Sequence, residues 1–120
     1  MAGYVDGYVL PVPKSKVQAY RRLAKQASKI WQEHGALRYR ECVGEDLAVK
    51  FGPTFPRQLA CKPSETVVFA WIEFTSKAHR DRVNAKVMKD PRIAGMGDPK
   101  DMPFDVKRML YGGFEVIVQA

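Results

Sequence analysis

The stretch 65–90, ETVVFAWIEFTSKAHRDRVNAKVMKD, constrains the fold more than any other. Residues 66–74 are almost unbroken in β-branched and aromatic types, which suit a packed, pleated surface, and they predict a buried strand. At Thr75 and Ser76 the pattern changes, and either hydroxyl can accept a bond from a free amide of a first helical turn. Val83 and Val87 then repeat at helical spacing among Arg80, Arg82, Lys86 and Lys89. Asp90 followed by Pro91 stops this helix, because proline disfavours a helical residue before it. The unit is a strand feeding directly into a helix, and it carries no motif that names a reaction.

The remaining segments fit around that unit. Residues 4–12 alternate and predict a first strand, closed by Pro11 and Pro13. Ser15 and Gln18 match a capping box at a helix start. Val17, Tyr20, Leu23, Ala24, Ala27, Ile30 and Trp31 follow at spacings of three and four, which makes one apolar face. Gly35 stands where a left-handed residue ends a helix, and His34 falls in its last turn. Residues 37–44 predict a second strand. The segment 46–64 holds three prolines and no sustained period, so its FGPTFP run is either a lid or a plain surface excursion. Residues 91–103 are a second irregular stretch, 104–109 a helical turn, and 110–119 the last strand. The order β-α-β-β-α-β is the split βαβ, ferredoxin-like arrangement: an α+β domain with a four-stranded antiparallel sheet and two helices on one face.

A chain of 120 residues is expected to form a single domain spanning residues 1–120. The start has no basic region ahead of an apolar run, and no stretch approaches the roughly 20 apolar residues of a membrane helix. Cys42 and Cys61 lack metal-ligand spacing and read as reduced thiols, so a cytoplasmic protein without metal is expected. The formal charge is +7. Lys14, Lys16, Arg21, Arg22, Lys25 and Lys29 crowd one amphipathic helix, where solvation explains them better than RNA does; no RNA-recognition strand motif accompanies them.

The segments DGYVLPVP, WQEHGAL, VVFAWIEF, SKAHRDRVNAKVMKDPR and MPFDVKRMLYGGFEVIV resemble the YbaA-like family of small bacterial proteins, over nearly the whole chain. The resemblance implies a dimeric α/β-barrel, in which two ferredoxin-like sheets close face to face. The family carries no assigned activity. Its wider superfamily includes cofactor-free mono-oxygenases, isomerases and haem-degrading enzymes. The haem-degrading relatives use an Asn, a Trp and a helix His. Trp71 and His79 fall in similar elements, but Asp6 or Tyr8 stands where the amide belongs, so no cofactor is expected.

Strand parity suggests a site. Val68, Ala70, Ile72 and Phe74 form an apolar list that should meet the helices, leaving Val67, Phe69, Trp71 and Glu73 on the other face. Val5 and Val9 suit the helix side, leaving Tyr4, Asp6, Tyr8 and Leu10 opposite. Phe114, Val116 and Val118 likewise leave Glu115 and Ile117. In the second strand Leu37, Tyr39 and Val43 are the more apolar parity, which would put Arg38 and Arg40 on the open face; the opposite register would put Glu41 there. The open face is thus expected to gather Asp6 and Glu73 as candidate general bases, with Tyr8, Phe69, Trp71, His79 and Glu115 as ligand-binding candidates. So large an aromatic patch predicts a homodimer that covers it. The functional expectation is a small aromatic or planar ligand in the barrel lumen, with cofactor-free oxidation or isomerisation open. The alternatives are a non-enzymatic interaction or stress module and RNA binding through the basic helices.

Overall fold

The computed structural model describes residues 3–120. Its elements are β1 (Tyr4–Pro13), α1 (Val17–Glu33), β2 (Arg38–Val43), α2 (Phe55–Gln58), β3 (Glu65–Phe74), α3 (Lys77–Met88), α4 (Pro91–Ala94) and β4 (Leu110–Glu115). The strands form one antiparallel sheet in the spatial order β2-β3-β1-β4. This is the ferredoxin-like topology expected from the element order. Among the described residues no helix is long and apolar enough to cross a membrane.

The core lies between the sheet and the two long helices. Val68, Ile72 and Phe74 of β3 are buried against Tyr20, Ala24 and Ile30 of α1 and Val83 and Val87 of α3. Each buried Val, Ile or Phe among them contributes roughly 1.5–3 kcal/mol by leaving water. Ser76 caps α3, its hydroxyl accepting from the His79 N–H at 3.1 Å. Ser15 does not cap α1; a 3-10 turn at Lys14–Lys16 leads into the helix, and no side chain caps its start. Asp90 ends α3 and then caps α4, with Pro91 in the first position of that helix. The 46–64 segment is not wholly irregular, because Thr54 caps the short α2. The basic residues of α1, Arg22 and Lys25 included, are exposed.

The face of β1 is the reverse of the expected one. Residues directly opposite in an antiparallel ladder share a face. Asp6 stands opposite Ile72, Tyr8 opposite Ala70 and Leu10 opposite Val68. Tyr4, Asp6, Tyr8 and Leu10 therefore face the helices, and Val5 and Val9 face away. Tyr4, Tyr8, Leu10 and Val12 together bury more apolar surface than two valines can, and that outweighs the charge of Asp6. β4 is also reversed and ends early: Phe114 stands opposite Val5 on the open face, and Glu115 opposite Tyr4 on the helix parity. The Phe114 ring lies over Gly7, where an added Cβ would stand 3.2 Å from it. Beyond β4, the Val116 N–H donates to the Gly3 carbonyl at 3.0 Å. In β2 the apolar parity does face the helices, so Arg38 and Arg40 are on the open face and Glu41 is inside.

A candidate ligand cavity beneath the first helix

Ala24 and Ala27 give α1 a shallow inner face, and space is left beneath them. The result is a cavity of about 230 Å³, walled by Tyr8, Ile72 and Tyr39 of the sheet, Tyr20 and Trp31 of α1, and Met96, Met102 and Phe104 of the segment before β4. A second groove of about 430 Å³ runs along the other flank of α1 and shares Tyr20, Ala24, Tyr39 and Glu41 with the first. Arg21 and Lys25 stand along this second groove.

Glu41 is the carboxyl common to both spaces. The Tyr20 hydroxyl donates to its Oε1 at 2.7 Å and the Tyr39 hydroxyl to its Oε2 at 2.8 Å. Burial pushes the Glu41 carboxyl above its ordinary range, and the two phenol hydrogen bonds oppose that shift. Both phenols are pushed up in turn, by burial first and then by the carboxylate beside them. Such a carboxyl can keep a proton at a pH where an exposed one has lost it.

A second polar network supports one wall. Asp6 is 0% exposed. The Asn84 amide donates to its Oδ2 at 3.2 Å, and Arg80 Nε lies 3.4 Å from its Oδ1. That last pair is close but misaligned, so neither atom has a hydrogen-bond partner. Arg80 also donates to the Tyr4 hydroxyl at 3.0 Å and lies over the Tyr4 ring. Asn84 accepts from Trp31 Nε1 at 3.0 Å, which links Asp6 through Asn84 to the cavity wall. Gly113 makes room for this network, because a Cβ at that point would push aside the Tyr4 hydroxyl and the Arg80 guanidinium.

The residues expected to share one space are divided. Asp6 and Tyr8 are on the helix side; Phe69, Trp71 and Glu73 are on the open face, opposite Val9, Gly7 and Val5. Trp71 Nε1 donates to Glu73 at 3.0 Å, and Phe69 packs edge-on against Trp71 and Phe55. Glu115 is exposed at the edge strand. His79 accepts the Thr75 N–H at Nδ1, 3.0 Å away, and its ring lies edge-on to Phe74, as a helix-start histidine does. Of the expected set, Tyr8 alone lines the cavity beneath α1. Sequence reasoning placed Glu41 near a site only in the β2 register that the structure does not adopt, and it did not place Tyr20, Tyr39, Trp31 and Asn84 in one. The signal for Glu41 was present: it is the single acid on the apolar parity of β2, between Tyr39 and Val43.

Among the described residues no group of three or more His, Cys, Asp or Glu is placed to hold a metal ion. A solved structure described as a dimeric ferredoxin-like protein from an uncultured marine organism matches the whole chain with a TM-score of 0.58 at 9% identity, and covers 100% of both chains. That likeness concerns the fold alone. The protein YbaA of Escherichia coli strain K12, described as uncharacterized, is 46% identical over 115 residues, covering 96% of this chain and 97% of that protein. The Shigella flexneri YbaA matches to the same extent. The family DUF1428, described as proteins of unknown function, matches residues 3–106. The chain belongs to this family, the YbaA-like proteins.

Proposed function

We propose that the protein binds a small, largely apolar and planar molecule in the cavity beneath α1. The observation that carries this reading is a hollow of about 230 Å³ whose walls are aromatic and aliphatic except for the Glu41 carboxyl. Ligand sites are typically apolar hollows with a few placed polar groups. The volume is below the roughly 300–1,000 Å³ of drug-sized sites, so a compact ligand is favoured. If chemistry follows binding, proton transfer suits the site, with Glu41 in the general-base role first expected of Asp6 or Glu73.

The open sheet face is proposed to close a homodimer. It carries Phe69 and Trp71 on β3 and Leu110 and Phe114 on β4, the two strands that flank β1, and Phe114 is 61% exposed. Arg38 stands opposite Glu73 on the same face, so a second copy meets both signs of charge. The solved neighbour described as dimeric is consistent with this, and Phe69, Trp71 and Glu73 then belong to the interface.

The test is thermal stabilisation by simple phenols and naphthoquinones, compared between the wild type and Ala27→Trp, which fills the cavity. A probe present at 100 times its Kd adds about 2.7 kcal/mol to the folded state. A raised Tm in the wild type and none in the variant supports the cavity. An unresponsive wild type defeats it.

A further inference from the structure

Glu41 is out of balance with its surroundings. Both of its oxygens accept from neutral phenols, at 2.7 and 2.8 Å. Among the described residues the ion pairs tie Asp6, Glu33, Glu65, Asp81 and Asp90 to cations, and none reaches Glu41. A carboxylate withdrawn from water is costly unless a cation or several donors replace its hydration. Around it stand the rings of Tyr8, Tyr20, Trp31, Tyr39 and Phe104. Trp31 and Tyr39 are paired at 6.2 Å between centroids, Tyr20 and Phe104 at 5.5 Å, so the rings form two supported walls. Aromatic faces attract cations, and more strongly once water is excluded.

We infer that the molecule held in this cavity carries a positive charge: an organic ammonium on a compact apolar body, its charge seated between the aromatic walls and the Glu41 carboxylate. This deepens the ligand-binding reading and rests on it. The phenols of Tyr20 and Tyr39 fix both carboxylate oxygens, so the charge is positioned before the ligand arrives. Arg21 and Lys25 lie along the outer groove and are exposed to water, which screens them. Arg38 and Arg40 are on the other face of the sheet. The segment before β4 contributes Ile93, Met96, Met102, Phe104 and Met109 to the wall and no charge.

The test compares two probes of the same shape, para-hydroxyphenyltrimethylammonium and para-tert-butylphenol, by calorimetry on the intact protein. The cation is expected to bind at least tenfold more tightly than its neutral isostere. In Glu41→Gln, which keeps the shape, that preference should fall below tenfold, because the neutral amide no longer offers the negative charge that faces the ammonium. A second measurement covers the case in which the variant does not fold. In the wild type, affinity for the cation should fall as the pH is lowered through the Glu41 titration, and affinity for the isostere should stay level. Tyr8, Tyr20 and Tyr39, all pushed up by burial, remain neutral over that range. Equal or tighter binding of the neutral isostere overturns the cationic ligand and leaves the cavity reading standing. Binding of neither probe overturns both.

Discussion

Burying Asp6 takes a carboxylate out of water, and Arg80 and Asn84 replace that water only in part. Oδ2 accepts from the amide at 3.2 Å, and Oδ1 faces a guanidinium nitrogen at 3.4 Å with poor alignment. Removing one member of such a buried pair strands the other. Asp6→Ala is therefore expected to destabilise the fold by about 3 kcal/mol. Asp6→Ala combined with Arg80→Met should cost clearly less than the sum of the two single changes. Urea unfolding of the four proteins measures this, and strict additivity would show the pair to be uncoupled. The sequence made Asp6 conspicuous but misjudged its side. Val5 and Val9 are β-branched and looked like the inward list, and the bulk of Tyr4, Tyr8, Leu10 and Val12 decided otherwise. Glu41 is visible in the sequence as the lone acid on the apolar parity of β2, with Tyr39 two residues away, but its other partner, Tyr20, is 21 residues away in the chain, and no local spacing reveals that partnership.

At the scale of elements, the helix ends carry more of the organisation than their propensities do. Asp90 closes α3, caps α4 through the Arg92 N–H at 2.9 Å, and holds His34 at the end of α1 at 2.8 Å. One carboxylate thus ties three helix ends together. The Arg92 and His34 hydrogen bonds hold the Asp90 carboxyl well below the usual carboxylate range. A depressed folded-state value means that its contribution is fully present above the ordinary aspartate value of about 3.9 and is lost as the pH falls toward the folded-state value. Asp90→Asn should lower stability at neutral pH and flatten the acid limb of the stability curve below about pH 4. Urea midpoints between roughly pH 6 and 2 would show it, and an unchanged acid limb would remove Asp90 from that role. The strands and the two long helices were legible because their apolar patterns span whole elements. The α1 start was misread because a Ser-x-x-Gln pattern is satisfied by many short segments, and here the chain enters through a 3-10 turn.

For the whole molecule, the long helices cover one face of the sheet, and the other is covered only in part, where Val67 and Pro11 are buried and Phe55 of α2 packs on Phe69 beside Trp71. Sedimentation at micromolar concentration should show a single dimeric species, and Trp71→Asp should weaken assembly by about 2 kcal/mol or more, as loss of a central aromatic does. A monomeric wild type would refute the closed interface. The hydrogen bond from Val116 to Gly3 bears on how the chain is threaded. β1 and β4 lie side by side although they come from opposite ends of the sequence, so their pairing depends on proximity in space and not on the order of synthesis. A circular permutant that links the two ends through a short glycine linker and opens the chain at the exposed Gly52 should keep the same sheet order. Its circular dichroism and urea midpoint should stay close to those of the parent. Such a permutant would place new ends on the loop beside α2, where a reporter could be attached without touching the cavity.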